Sequence, residues 1–325
     1  MIDITYENFE SDLIAASTQV PVLLDIWAEW CGPCKALGPV LEQLEAEYAG
    51  RFILAKVNAD QYPEIAQQLS QMFGVRSIPF CVLFKGGQPI DGFVGALPAD
   101  KIRGFLDQHV AGEGELASEA ETVDAEQALA EGDPNTAFAL LQDALAKDPG
   151  NDEARYDLIK LLLAEGALEE AQAIYAPIAS RGSGPVPEQR VVAFGRYIEA
   201  LATARAGRSP AELAEAIAAN KRDFAARYAL AQLFFAAGEF TQAMDELLEI
   251  IMRDKTWNDE LARKTYIAIL EVMGKPAPKP TAGKPAPGAA AADGKPKLEI
   301  AGKMETAPAD PVIEQYRRKL SMALF

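Results

Sequence analysis

Three short stretches of the chain, EGDPNTA, EGALEEA and AGEFTQA, set a glycine five residues ahead of an alanine: Gly132 and Ala137, Gly166 and Ala171, Gly238 and Ala243. The second pair follows the first by 34 residues, and the third follows the second by 72. At the 72-residue offset Ala154, Arg155, Tyr156, Leu158, Leu161 and Ala164 also match Ala226, Arg227, Tyr228, Leu230, Leu233 and Ala236. Such a repeat constrains the fold strongly. Each unit reads as helix, turn glycine and second helix, the small residue lets the two helices approach closely, and each unit needs a neighbour to cover its apolar face. The stretch 186–218 fits the period poorly but still reads helical over 190–206 and 210–219, which predicts a degenerate unit with extra loop at 180–187. For Arg155-Tyr156 and Arg227-Tyr228 the expectation is a packing tyrosine beside a solvated arginine, with a ligand groove as the alternative.

The first 110 residues follow a different rule. Strand patterns at 2–5, 20–27, 52–57, 80–84 and 92–94 alternate with helical spacing at 7–16, 37–48, 63–72 and 98–110, and Gly86-Gly87 marks a hairpin turn. Alternation that ends in a hairpin predicts an α/β domain with a mixed sheet flanked by helices. The segment 20–27 is apolar almost throughout, as a strand covered on both faces would be, and is broken by Asp25. It leads into IWAEWCGPCK, with Cys31 and Cys34 placed where strand turns into helix. With one histidine, His109, and no second CxxC, the chain lacks the two ligand pairs at the usual zinc-site spacing, so no metal is expected and redox chemistry leads. A thiolate attacks disulfides. Cys31 at a helix start would have its thiolate favoured by the backbone N–H groups and the helix dipole, while Cys34, one turn in and more buried, would resolve the mixed disulfide. Gly32 and Pro33 would shape the bridge, through tight backbone geometry and a proline in the first turn. Cys81 is expected as a small buried hydrophobe.

Charge and hydropathy exclude other classes. A net charge of -17 with a pI near 4.6 argues against nucleic acid and anionic membrane surfaces as partners. An acidic opening, MIDITYENFESD, and the lack of an apolar run of spanning length lead to the expectation of a cytoplasmic chain.

The run LLDIWAEWCGPCK, the Ser77-Ile78-Pro79 before a strand and FVGALPADKI from Phe93 resemble thioredoxin in order and spacing across residues 1–111. The resemblance implies the thioredoxin fold, a redox-active Cys31–Cys34 disulfide with no further cofactor, and Asp25 as the buried acid that passes protons to and from Cys34. Lys56 is the expected partner of Asp25, the alternative being a solvated strand lysine. Pro79 would be a cis proline facing the dithiol. Trp30, Gly32, Pro33, Ile78, Pro79 and Gly95 would form the surface that accepts a substrate's extended backbone. The repeats are similar to tetratricopeptide repeats, so an all-α repeat domain over 121–273 is expected to follow a linker at 112–120.

Residues 274–309, rich in Pro, Ala, Gly and Lys with six lysines against three acids, read as a disordered tether. The tail DPVIEQYRRKLSMALF, 310–325, reads as an amphipathic helix that either folds back on the repeats or offers itself to another protein. Together these parts resemble the bacterial chaperedoxins, co-chaperones of the YbbN/CnoX type. That resemblance implies a stress-related protein that holds unfolding clients, guards their cysteines and passes them to the GroEL chaperonin. It nominates Tyr316, Arg317, Arg318, Leu320 and Leu324 for the chaperonin contact and a reducing system such as thioredoxin reductase or glutathione to recharge the dithiol. Some members carry a further cysteine in the loop after the third strand. Asn58 and Ala59 stand there in this chain, so a client disulfide would form through Cys31.

Overall fold

The computed structural model describes residues 1–274 and 310–324; the tether expected over 274–309 lies, beyond Gly274, outside the described residues. The described residues divide into two units, the first holding 1–112 and the second 113–274 with 310–324.

In the first unit five strands, β1 (Ile2–Asp3), β2 (Val22–Trp27), β3 (Ile53–Asn58), β4 (Phe80–Lys85) and β5 (Gln88–Val94), form one sheet in the order β1-β3-β2-β4-β5. The first three are parallel, β4 pairs antiparallel with β2 and β5 antiparallel with β4, so the sheet is mixed as expected. Successive side chains of a strand point to opposite faces. Val22, Leu24 and Ile26 therefore join Ala55, Val57, Phe80 and Val82 under helix α2 (Pro63–Phe73) and a π-helical segment, Phe9–Ala15. Leu23, Leu54, Cys81 and Leu83 meet α1 (Gly32–Glu47) and α3 (Ala99–Leu106) on the other face. By the same alternation Asp25 belongs to the α1 face. Pro39 lies inside α1 without ending it.

The linker expected at 112–120 is replaced by helix: α4 spans Glu113–Ala130. The small residues that suggested a joint are a helix contact. Ser118 Oγ donates to the Ala144 carbonyl at 2.7 Å, and a Cβ on Gly114 would meet the Lys147 carbonyl at 2.9 Å. Both partners lie on α5 (Pro134–Lys147). Asn151, the N-cap of α6 (Asp152–Ala164), donates to the hydroxyls of Ser118 and Thr122 and ties the third helix to the first.

The repeat pattern maps onto helical hairpins. Gly132, Gly166 and Gly238 adopt φ of 82°, 73° and 75°, a left-handed turn that glycine enters without a Cβ clash. They join α4 to α5, α6 to α7 (Leu168–Tyr175) and α10 (Phe224–Ala236) to α11 (Phe240–Ile251). Ala137, Ala171 and Ala243 are fully buried at the second helix of each pair. The degenerate unit consists of α8 (Gln189–Ala206) and α9 (Pro210–Ala219). Only Leu213 of α9 is buried, which explains why its sequence carries so little periodic signal. Stacked rings, Tyr156 on Phe194 at 4.3 Å and Tyr197 on Phe235 at 4.8 Å, join neighbouring pairs.

The arginines of the repeated Arg-Tyr pairs are not solvated. Arg155 is 5 % exposed and donates to Asp152 and the Pro149 carbonyl; Arg227 is 7 % exposed and pairs with Glu246 at 2.5 Å. Arg155 finds its acceptors at the start of its own helix and Arg227 finds Glu246 on α11, and those acceptors allow burial. A groove of about 500 Å³ between α7 and α8 is lined by Tyr175, Gly195, Arg196 and Glu199, and by none of the repeated Arg-Tyr residues. The helix α12 (Trp257–Met273) completes the array, and α13 (Pro311–Leu324) folds back onto α11 and α12.

Candidate active site

The site forms where β2 ends and α1 begins. Cys31 is the N-cap of α1, and the Cys34 backbone N–H donates to its Sγ at 3.2 Å. A sulfur in that position receives the positive end of the helix dipole as well as a direct hydrogen bond, and both favour thiolate over thiol. The two sulfurs form a disulfide. Ala28, with Trp27 and Ile78 beside it, packs around the pair.

The expected deeper burial of Cys34 is not found. Cys31 and Cys34 are 3 % and 4 % exposed, since the bonded sulfurs are covered together. Their helix positions distinguish them instead, N-cap for Cys31 and third residue of the helix for Cys34. The reason offered for Gly32 also changes. Its φ is not positive and an added Cβ would meet nothing within 4 Å, so glycine leaves open space over the helix start rather than relieving the backbone.

Trp30 is 72 % exposed, and its Nε1–H donates to Asp60 Oδ2 at 3.0 Å. Asp60 is in turn held by its own N–H on Asn58 Oδ1 at 2.9 Å. The Ile78-Pro79 peptide is cis, and Gly95 N–H, at φ 88°, donates to the Pro79 carbonyl at 2.8 Å. Gly32 and Pro33 are exposed, Ile78 and Gly95 half-buried. Pro79, expected on the accepting surface, is buried, with its carbonyl taken up by the Gly95 N–H.

Asp25 is 1 % exposed, and burial pushes its carboxyl up to about 6, with the Lys56 charge and the Cys81 thiol pulling the other way. Lys56 faces it in register across β2 and β3, while its Nζ is 2.7 Å from Glu42 of α1. Cys81 faces it across β2 and β4 and donates from Sγ to Asp25 Oδ1 at 3.7 Å. Burial pushes the Cys81 thiol well above the usual range, so it stays a donor. Three groups escaped sequence reasoning here: Asp60 on Trp30, Glu42 on Lys56 and Cys81 on Asp25. The Cys81 contact comes from cross-strand register, which links positions 56 residues apart and leaves no mark in local pattern.

The residues nominated for a partner divide into two sets. Tyr316 and Leu320 are buried against the repeats with Ile313. Tyr266 donates to the Tyr316 carbonyl at 2.7 Å, and the Tyr316 hydroxyl donates to Asp245 at 3.1 Å. They are therefore taken up within the chain, as the amphipathic face requires cover. Arg317 and Arg318 are exposed, Leu324 is half-buried, and Val312 and Met322 are exposed beside them.

Residues 1–108 match the thioredoxin family. The chain is 45 % identical to a thioredoxin of Chlorobaculum thiosulfatiphilum over 106 residues, 33 % of this chain and 93 % of that one. The chain belongs to the thioredoxin family. It is also 42 % identical to a thioredoxin of Haemophilus influenzae over 110 residues, 34 % of this chain and 97 % of the relative. Residues 128–186 and 203–283 match two tetratricopeptide repeat families, which take in α5 to α7 and α9 to α12. The chain is thus a thioredoxin-type thiol–disulfide oxidoreductase carrying tetratricopeptide repeats. Among the described residues no group of three or more His, Cys, Asp or Glu side chains could hold a metal ion, and no helix is long and apolar enough to cross a membrane.

Proposed function

We propose that the chain is a redox-active co-chaperone: it holds unfolding clients, protects or reduces their cysteines through Cys31 and Cys34, and passes them to the GroEL chaperonin in the cytoplasm. The observation that carries the redox half is the Cys31 Sγ at the N-cap of α1, receiving the Cys34 N–H. Cys31 thiolate attacks a client disulfide, releases one client sulfur as thiolate and forms a mixed disulfide. Cys34 loses its proton to the Asp25 carboxylate and attacks Cys31 Sγ. The second client sulfur leaves and is protonated, and the Cys31–Cys34 disulfide closes. Two electrons have passed from dithiol to client, and a cellular reductant such as thioredoxin reductase or glutathione returns them. Lys56 tunes Asp25, and Trp30, Gly32, Pro33, Ile78, Pro79 and Gly95 shape the surface along which the client backbone lies.

The holding half draws on the joining of this dithiol to helical repeats in one chain. Its test is suppression of aggregation of a thermally unfolding client. Suppression by wild type and by Cys31→Ala supports holding, and failure of both removes it. Removal of 310–325 is expected to abolish co-purification with the chaperonin while insulin reduction continues. Survival of co-purification removes the role of α13, including Arg317, Arg318 and Leu324.

Burial of Tyr316 and Leu320 favours a second function, a general reductase whose repeats dock it to one protein partner without holding clients. In that case insulin is reduced and aggregation proceeds unchecked.

A further inference from the structure

The α1 face of the sheet holds one buried acid, Asp25, and the strands on either side of β2 contribute the groups around it. Lys56 comes from β3, already engaged with Glu42 of α1, and Cys81 comes from β4; the dithiol stands at the end of the same β2 strand, where α1 begins. Among the described residues the Cys81 thiol is the single hydrogen-bond donor to the Asp25 side chain, at 3.7 Å. Both residues are essentially without solvent, at 0 % and 1 % exposure, so this bond acts without competition from water. The Cys81 backbone is pinned from the other side. A Cβ on Gly92 of β5 would meet the Cys81 carbonyl at 2.6 Å, so only glycine admits this spacing, and Cys81 is held between β2 and β5.

We propose that Cys81 is a positioning residue of the redox reaction, its thiol holding the Asp25 carboxylate in the orientation and charge state from which it takes the Cys34 proton. The proposal rests on the acid–base role assigned to Asp25 above. Cys81 is neither oxidised nor reduced. Its S–H proton remains on sulfur throughout, and the proton that moves passes from Cys34 Sγ to the other Asp25 oxygen as Cys34 attacks Cys31. A purely apolar core cysteine would fill the same volume. It would have no effect on the proton balance of Asp25.

The two roles separate in the pH dependence of insulin disulfide reduction, followed with the full chain and dithiothreitol as reductant. Wild type is expected to lose rate as pH falls through the Asp25 titration, and Asp25→Asn to lose that limb. In Cys81→Ala the limb moves up by about half to one pH unit, the size of one hydrogen bond's net contribution. In Cys81→Ser, whose hydroxyl donates in place of the thiol, the limb returns to the wild-type position or below it. Cys81→Ser carries the test alone if the alanine variant fails to fold, because a limb moved up in a folded serine variant overturns the proposal. An unmoved limb in folded Cys81→Ala, or equal upward shifts in both variants, overturns it too. A limb that persists in Asp25→Asn removes instead the acid–base role of Asp25, and with it the premise.

Discussion

Replacing Asp25 by Asn is expected to stabilise the first unit at neutral pH. Asp25 is 1 % exposed, and burial pushes its carboxyl from 3.8 to about 6 against the pull of Lys56 and Cys81. Between those two values the native state keeps a proton on Asp25 that the unfolded chain has lost. Stability therefore falls as pH rises through that window, and the full penalty remains above it. A shift of about 2 pH units corresponds to about 3 kcal/mol. Asn relieves that penalty, retains an oxygen for the Cys81 thiol and leaves Lys56 with Glu42 at 2.7 Å. Urea unfolding in a Trp257→Phe background confines the fluorescence signal to Trp27 and Trp30, both in the first unit. With a slope of about 2 kcal/mol/M, the Asn variant's midpoint rises by about 1.5 M at neutral pH. The two proteins converge near pH 3, where the carboxyl is protonated in both states. No rise at neutral pH, or the same rise at about pH 3, refutes the assignment of a burial-dominated acid at this position.

Gly166→Ala forces a Cβ into a backbone at φ 73° and is expected to cost about 1 kcal/mol, while Gly32→Ala, with no positive φ and open space, leaves stability unchanged. Paired thermal melts check the contrast, and equal effects contradict it. Leu320→Ala empties a buried site on α13 and is expected to destabilise the docked helix by about 2 to 3 kcal/mol, seen as faster hydrogen exchange of α13, whereas Arg317→Ala, at an exposed side chain, does not.

Local chemistry made much of this protein legible in advance. Gly132, Gly166 and Gly238 announced the hairpins because a left-handed turn needs glycine wherever it occurs, and the CGPC motif announced the helix start because cap and first turn are local. What escaped depends on contacts between distant residues. Gly114 and Ser118 carried the composition of a joint, and only the approach of α5 turns small residues into helix packing. Arg155 and Arg227 looked like solvated cations, but the acceptors that bury them, the Pro149 carbonyl and Glu246, belong to neighbouring turns and helices. Cys81 was expected as a small hydrophobe, and its burial fits that expectation. Its hydrogen bond to Asp25 arises from the β2–β4 register, 56 residues away in sequence.

The account stands on Cys31 as the attacking sulfur. Cys34→Ser leaves that sulfur at the helix start without its resolving partner, so incubation with insulin should leave one insulin chain attached through a disulfide. Mass spectrometry should place the adduct on Cys31, dithiothreitol should release it, and Cys31→Ser should form none. An adduct carried by Cys81, or no adduct while Cys31 remains in place, would contradict the central claim.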